Sequence, residues 1–421
     1  MPSVVRSGQK LWRALGPGTI TGAADDDPSG IATYSQAGAQ FGYALTWTLF
    51  LTLPFMAAIQ IISAWIGWRT KKGLIHNIAR QLPKPVVYAL VALLVAANTI
   101  NIAADLAAMG ESLRLLINGP TVAFALGFGV ACLVAEIFIP YHTYAGYLKF
   151  LTLILLVYVA AAFSVSIPWG HVAAATFLPH FNPTSGILLT IVAVFGTTIS
   201  PYMFFWQAAQ EAEESRLSHG SKHNLTARAS KAQFAHISAD TWVGMSFSNV
   251  VGFFIIVTTA ASLNAHGITK IDTAAQAAEA LRPIAGELTF ALFAAGIIGT
   301  GLLAVPVLAG SAAYAVAALF GLRGSLELPA SRAVGFYAII GSSTLAGAAL
   351  AATHINPIAM LFWSAVINGF VAVPIMLAMM VVVSSRRGMQ TFGFPPWVRA
   401  LGWLACLLMA FAVAMLLWLS V

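Results

Sequence analysis

The chain has 421 residues, of which 59% are hydrophobic and only 8% are charged, and its formal net charge is +7. This composition excludes an ordinary soluble domain, and the long apolar runs predict a polytopic α-helical membrane protein. Because no long polar stretch separates these runs, we expect one membrane domain over residues 1–421.

Eleven apolar segments are long enough to cross a bilayer, since about 20 helical residues span ~30 Å of hydrocarbon. The first, over 13–40, and the sixth, over 185–211, are interrupted by prolines and small polar residues. The nine uninterrupted segments are 44–68, 86–108, 121–139, 144–167, 240–262, 285–319, 334–352, 356–383 and 397–420.

The interruption in the first span carries three consecutive acids, Asp25, Asp26 and Asp27, followed by Pro28. An acid at bilayer depth is costly, and non-helical backbone persists there only where it lines a cavity or is buried in protein. The break therefore predicts a cation site with Asp27 as its charged ligand. The carbonyl of Ala24, at the negative end of the preceding half-helix, is a second expected ligand. The alternative is that Asp27 only caps the half-helix that begins at Pro28.

The third span carries Asn98, Asn101 and Asp105 at positions i, i+3 and i+7, which share one helix face. They form either interhelical hydrogen bonds or the wall of an aqueous path, and the pattern favours neither. Asn368, a mid-span amide in the tenth span, is the expected vestibule residue.

Two further acids, Glu136 and Asp240, fall near the ends of predicted spans. We expect both of them to be interfacial.

The second interruption contains Thr197, Thr198, Ser200 and Pro201, with Pro201 lying 173 positions after Pro28. Its hydroxyls and carbonyls are expected to line the site, although isolated Ser and Thr residues more often bond back to their own helix. Paired interruptions at matching positions of two halves indicate a substrate site near the midplane.

Each interrupted span starts a group of five. Because five is odd, the two groups cross the membrane in opposite directions, which predicts an inverted repeat of about 13–167 and 185–383 with an accessory helix at 397–420. This count places all but three of the 21 Lys and Arg residues on the side of the N-terminus, the exceptions being Arg114, Lys270 and Arg282. The positive-inside rule then predicts a cytoplasmic N-terminus and an external C-terminus, in the inner membrane of the cell.

The run GPGTITGAADDDPSGIATYSQAGAQFGY, together with SPYMFFWQ, resembles the NRAMP family of divalent-metal transporters. This resemblance implies a leucine-transporter-like fold with two inverted five-helix repeats and broken helices one and six. The chemistry-bearing positions differ from the family pattern. The family's Asp-Pro-Gly-Asn corresponds to Asp27-Pro28-Ser29-Gly30, which keeps the acid and loses the amide ligand.

The other departures remove sulfur, imidazole and acid groups. The family's Met-Pro-His corresponds to Ser200-Pro201-Tyr202, and a later histidine corresponds to Gln207. Two family acids of span three correspond to Asn98 and Ala108, whereas Asp105 remains. Oxygen ligands suit Mg²⁺, which retains several waters, better than softer metals. The pattern resembles the NRAMP-related magnesium transporter branch.

The sequence therefore predicts a secondary transporter that takes up Mg²⁺, tolerates Mn²⁺ and is not coupled to protons. The metal ion is the substrate and the bilayer the surroundings; we expect no enzymatic activity, cofactor, nucleic acid or obligate protein partner. The alternatives are a proton-coupled Mn²⁺/Fe²⁺ transporter with Asp105 in the proton path and, more distantly, an amino-acid carrier of the same fold. Expected metal-site residues are Asp27, Ala24, Gly30, Thr197 and Ser200, with Ser29, Thr198, Tyr202, Gln207, Asn98, Asn101, Asp105 and Asn368 along the lining or pathway.

Overall fold

The computed structural model describes residues 17–139, 151–179, 183–219, 227–326, 328–353 and 355–419. All regular secondary structure in these ranges is helical. The helices up to residue 138 are α1 (Pro17–Asp25), α2 (Pro28–Phe41), α3 (Trp47–Thr70), α4 (Leu74–Ile78), α5 (Lys84–Arg114) and α6 (Thr121–Phe138).

The remaining helices include the second broken span, formed by α9 and α10. They are α7 (Leu156–Ser164), α8 (Trp169–Phe177), α9 (Ser185–Thr198), α10 (Pro201–His219), α11 (Ala227–Ser262), α12 (Ala274–Ala278), α13 (Arg282–Ala285), α14 (Thr289–Phe320), α15 (Val334–Ala351), α16 (Pro357–Ser384), α17 (Arg386–Phe392) and α18 (Pro396–Leu419).

The described helices form a polytopic membrane bundle. Nine helical segments among the described residues are long and apolar enough to cross a membrane, and a bent pair, Leu153–Ser164 with Trp169–Phe177, raises this number to ten if it forms one span. The halves α1 and α2, of 9 and 14 residues, are too short separately and together make the first span.

Several boundaries differ from those predicted. Helix α11 begins at Ala227, well before the predicted start at residue 240, because its first turns are polar and hydropathy detects only the apolar part. Span five was predicted over 144–167; its part before residue 151 lies outside the described residues, and α7 ends at Ser164. The chain then turns through 118° into α8, a helix that was not predicted.

Small residues let the first broken span approach α11 closely. A Cβ atom at Gly22 would lie 2.3 Å from the carbonyl carbon of Gly244, so the two backbones touch at this point. Such contacts stabilise helix pairs in membranes, where burial of apolar surface between helices provides little driving force. Helices α1 and α2 both pack along α11.

The two broken spans are antiparallel neighbours. Helix α2 contacts α9, and α1 contacts α10, so the first half of each span lies beside the second half of the other. This is the arrangement that an inverted repeat requires, and it brings both breaks to the middle of the bundle.

Candidate cation site

The first break consists of Asp26 and Asp27, between the end of α1 and the start of α2. Pro28 is the first residue of α2, and a residue that precedes proline is driven out of the helical region. Asp27 accordingly has extended backbone, with φ −73° and ψ 169°. Its Oδ1 accepts hydrogen bonds from the Gly30 N–H at 2.8 Å and the Ser29 hydroxyl at 2.6 Å. The helix-capping interpretation of Asp27 is thus confirmed, and one carboxylate oxygen is left for another role.

The second break consists of Ile199 and Ser200, and Pro201 begins α10. The Thr198 hydroxyl donates to the Val194 carbonyl at 2.9 Å, and the Ser200 hydroxyl lies 2.7 Å from the Gly196 carbonyl and 2.9 Å from that of Thr197. These two hydroxyls therefore follow the back-bonding alternative. The end of a helix leaves carbonyls without partners, and a nearby hydroxyl satisfies them.

Thr197 faces the other break. A Cβ atom at Gly30 would lie 3.1 Å from the Thr197 hydroxyl oxygen, so these two predicted site residues adjoin each other. Glycine at position 30 leaves space here that a larger side chain would fill.

Tyr202 joins the two breaks. Its hydroxyl lies 3.2 Å from Asp27 Oδ2 and 3.1 Å from the Ala24 carbonyl oxygen. All three residues are at most 1% exposed. The structure therefore brings the predicted charged ligand, the predicted carbonyl ligand and a phenolic hydroxyl to one point between the broken spans.

Gln207 lies further along α10. Its amide Nε2 donates to the Thr241 hydroxyl of α11 at 3.0 Å, and its Oε1 has no hydrogen-bond partner among the described residues. The side chain is fully buried. Gln207 thus faces α11, one and a half turns from Tyr202.

The asparagines of α5 make interhelical hydrogen bonds. Asn98 donates to the Leu308 carbonyl at 2.8 Å, and the amides of Asn101 and Asn368 pair at 2.8 and 3.2 Å. The packing interpretation is confirmed for both asparagines. Asn368, expected in a vestibule, is instead fully buried, because Asn101 satisfies its amide inside the bundle.

Asp105 differs from its neighbours on α5. It is fully buried, and neither carboxylate oxygen has a hydrogen-bond partner within the described part of the chain. Glu136, on α6, was expected to be interfacial; it is also buried against protein, and its two oxygens lack partners among the same residues. A buried carboxylate without a partner is costly when charged.

Asp25 and Asp26 turn towards α11. The Ser248 hydroxyl contacts an oxygen of each, with 3.0 Å to Asp26 Oδ1. Asp240, two turns earlier on the same helix, accepts hydrogen bonds from the backbone N–H of Gly18 at 2.7 Å and from the Thr19 N–H and hydroxyl.

Asp240, which was expected to be interfacial, therefore caps the start of α1. Capping of this kind satisfies N–H groups that have no partner within the helix. The roles of Asp240 and Ser248 were not predicted from the sequence. Their spacing with Gly244, four residues each way, places all three on one face of α11 and was the available signal.

A cavity of about 630 Å³ lies on the side where α2 ends. It is bounded by the end of α2, the starts of α9 and α16, and segment 269–272. Its polar lining includes Gln36, Gln40, Thr190, Asp272 and Asn356. On α2 the lining extends down to Ala32, five residues beyond Asp27. The cavity thus approaches the breaks without reaching the Asp27 carboxylate.

The atoms that converge at the site are all oxygens. One carboxylate, one backbone carbonyl and one phenolic hydroxyl converge, and the described residues contain no group of three or more His, Cys, Asp and Glu side chains that could hold a metal. A cation bound here has a single charged ligand and completes its shell with neutral oxygens and water. Such a shell suits a hard, partly hydrated ion.

Comparison with known proteins gives consistent similarities. The family model described as natural resistance-associated macrophage protein-like matches residues 18–419. The divalent metal cation transporter MntH of Yersinia pestis (strain Pestoides F) is 28% identical over 302 residues, which cover 68% of each chain. MntH of Pectobacterium carotovorum subsp. carotovorum (strain PC1) is 26% identical over 315 residues, 71% of each chain.

Solved structures show the same fold at low identity. The crystal structure of the Eremococcus coleocola manganese transporter in complex with an aromatic bis-isothiourea substituted compound superposes with a TM-score of 0.75 at 15% identity, covering 98% of this chain and 87% of that one. MHP1, a nucleobase-cation-symport-1 family transporter, in a closed conformation gives 0.58 at 13% identity, covering 96% and 92%.

Proposed function

Because the chain belongs to the natural resistance-associated macrophage protein-like (NRAMP) family, we propose that it is a secondary transporter of divalent cations, and no enzyme, that takes up Mg²⁺ and tolerates Mn²⁺ by alternating access. The observation that carries this proposal is the convergence of Asp27 Oδ2, the Ala24 carbonyl and the Tyr202 hydroxyl between two broken spans. The substrate ion binds at this point, and the Thr197 carbonyl, at the end of α9, is a further ligand. Gly30 and Gln207 provide space and water contacts.

The preference for Mg²⁺ follows from the ligand atoms. Thioether and imidazole groups favour softer metals, whereas carboxylate, carbonyl and water suit Mg²⁺. Position 200, which corresponds to a methionine in the family pattern, is a serine here, and position 202 is a tyrosine where that pattern has histidine. A partly hydrated Mg²⁺ needs only one or two carboxylates from the protein.

Access alternates between the two sides of the membrane. The 630 Å³ cavity is the vestibule on the side where α2 ends. On the opposite side, Asp240 holds the start of α1, and the Tyr314 hydroxyl donates to Glu213 at 2.8 Å. In our proposal the N-terminus is cytoplasmic, the C-terminus is external and the vestibule faces the outside. External labelling of cysteines introduced at Thr269 and Arg323 tests this orientation: only the first should react in intact cells, and the reverse would contradict it.

The membrane potential supplies the driving force. It is worth ~2.3 kcal/mol per elementary charge per 100 mV, and hence about twice that for a divalent cation that moves without a counter-ion. Uptake therefore needs no proton.

The test is transport in vesicles. The full-length protein is reconstituted, an inward-negative potential is imposed, and internal Mg²⁺ and pH are followed together. We expect Mg²⁺ uptake without proton movement, weak inhibition by Cd²⁺ and no uptake by Asp27→Asn. Glu279→Gln, at an exposed ion pair with Arg282, is the matched control and should transport normally. Proton influx that accompanies Mg²⁺ would refute the uncoupled mechanism.

A second candidate is a proton-coupled Mn²⁺ transporter. The observation in its favour is Asp105, a buried acid whose two oxygens lack partners among the described residues and which therefore has the surroundings of a proton carrier. Mn²⁺ uptake that acidifies the vesicles, with strong inhibition by Cd²⁺, would favour it.

A further inference from the structure

Tyr202 occupies a position that suits a ligand as well as a hydrogen-bond donor. We propose, on the basis of the proposed function, that its phenolic oxygen coordinates the transported cation directly. Tyr202 would thus be the third protein ligand, beside Asp27 and Ala24, and a determinant of selectivity for hard ions.

The distances between the oxygens support this assignment. In an octahedral Mg²⁺ shell with bonds of 2.0–2.1 Å, neighbouring ligand oxygens are about 2.9 Å apart. The Tyr202 oxygen lies 3.1 Å from the Ala24 carbonyl oxygen and 3.2 Å from Asp27 Oδ2. Both distances exceed this spacing by only a few tenths of an ångström, so the Tyr202 oxygen lies where a ligand neighbouring the other two in such a shell would lie.

The chemistry of the hydroxyl allows both states. A phenolic hydroxyl has one proton and two lone pairs. When no ion is bound, the proton is donated towards the carboxylate or the carbonyl. When an ion is bound, a lone pair faces the ion and the hydroxyl rotates so that its proton points away from the ion, which breaks the hydrogen bond to Asp27 Oδ2.

The surroundings of the side chain keep its oxygen at the site. Tyr202 is fully buried and is the second residue of α10, directly after Pro201. Burial of the ring restricts its rotation, so an ion that reaches Asp27 and Ala24 also meets the phenolic oxygen. A neutral oxygen strengthens binding of a hard ion without adding a second charge, whereas an imidazole at this position would favour softer metals.

The experiment is a calorimetric titration of the full-length protein, in detergent, with Mg²⁺. Tyr202→Phe removes one oxygen and preserves the ring, and we expect it to raise the Kd for Mg²⁺ about tenfold or more, since loss of a group that only orients a metal ligand already costs about 10–100-fold. Tyr337, whose hydroxyl donates to the Leu328 carbonyl at 3.0 Å, provides the control. The variant Tyr337→Phe should leave the Kd unchanged. An unchanged or lower Kd for Tyr202→Phe would overturn the assignment, and a lower one would mean that the hydroxyl competes with the ion.

A second variant keeps the test decisive if Tyr202→Phe does not fold. Tyr202→His replaces the oxygen ligand with imidazole and should increase the ratio of Cd²⁺ to Mg²⁺ affinity; an unchanged ratio would overturn the assignment. The failure of the proposed function is separate from both results. It would appear if the wild-type protein bound neither Mg²⁺ nor Mn²⁺, or if Asp27→Asn bound these ions as tightly as the wild type does.

Discussion

The side-chain amides of Asn101 and Asn368 exchange two hydrogen bonds, of 2.8 and 3.2 Å, between α5 and α16. Both side chains are fully buried. Helix α16 also packs against α9, the first half of the second broken span. The amide pair therefore fixes the helix that supports one side of the candidate site.

Removal of either amide alone should cost more than half of the stability that is lost when both amides are removed. Asn101→Ala or Asn368→Ala leaves a buried amide without its partner, which costs about 1–3 kcal/mol. The double variant leaves neither amide behind, so its cost should be smaller than the sum of the two single costs. Thermal unfolding in detergent provides the comparison, and strictly additive losses would show that the two amides are not coupled.

The contact between α1 and α11 should tolerate no side chain at Gly22. In Gly22→Ala the new Cβ would lie 2.3 Å from the backbone of Gly244, so the helices must separate. We expect a lower melting temperature and a loss of uptake. Gly127→Ala is the matched control: nothing lies within 4 Å of its Cβ position, and alanine stabilises an exposed helix by up to ~1 kcal/mol relative to glycine. Equal melting temperatures and equal uptake for Gly22→Ala and Gly127→Ala would contradict the close contact.

Loss of Asp240 should loosen the start of α1. Asp240→Ala removes the acceptor for the N–H groups of Gly18 and Thr19, and loss of a cap costs about 0.5–2 kcal/mol. Hydrogen exchange over residues 18–24 should accelerate, and conformations open on that side should become more populated. Asp272→Ala, at an exposed ion pair with Lys270, should leave this exchange unchanged. Exchange that is the same in both variants would show that Asp240 does not hold α1.

The dependence of uptake on external pH tests the role of Asp105. If transport is uncoupled, wild type and Asp105→Asn should both show Mg²⁺ uptake that does not change between about pH 7 and about pH 8, since no step requires proton transfer. Initial rates in vesicles at fixed potential give the comparison. Wild-type uptake that rises as external pH falls, with loss of this dependence in Asp105→Asn, would instead support the proton-coupled candidate.

The breaks were predictable because their causes are local. Pro28 and Pro201 each force the preceding residue out of the helix, and the matching positions of the two prolines indicate the inverted repeat. Asp27 could likewise be identified from the cost of an acid at bilayer depth. Each of these arguments needs only a few neighbouring residues, so one sequence suffices.

The remaining features depend on contacts distant in sequence. Asn98 and Asn368 could have faced water or a neighbouring helix, and only the positions of Leu308 and Asn101 decide between these. Hydropathy could not reveal the polar first turns of α11. The Ser200 hydroxyl was expected at the site, but it donates instead to the Gly196 carbonyl near the end of α9.

The central claim is that a divalent cation binds between the two breaks, and anomalous X-ray scattering from crystals soaked in Mn²⁺ tests it most directly. We predict one peak within coordination distance of the Asp27 carboxylate and the Ala24 carbonyl, lost in Asp27→Asn and displaced by excess Mg²⁺. A peak elsewhere in a protein that transports Mn²⁺, with the hydrogen bond between Tyr202 and Asp27 unchanged, would contradict the claim.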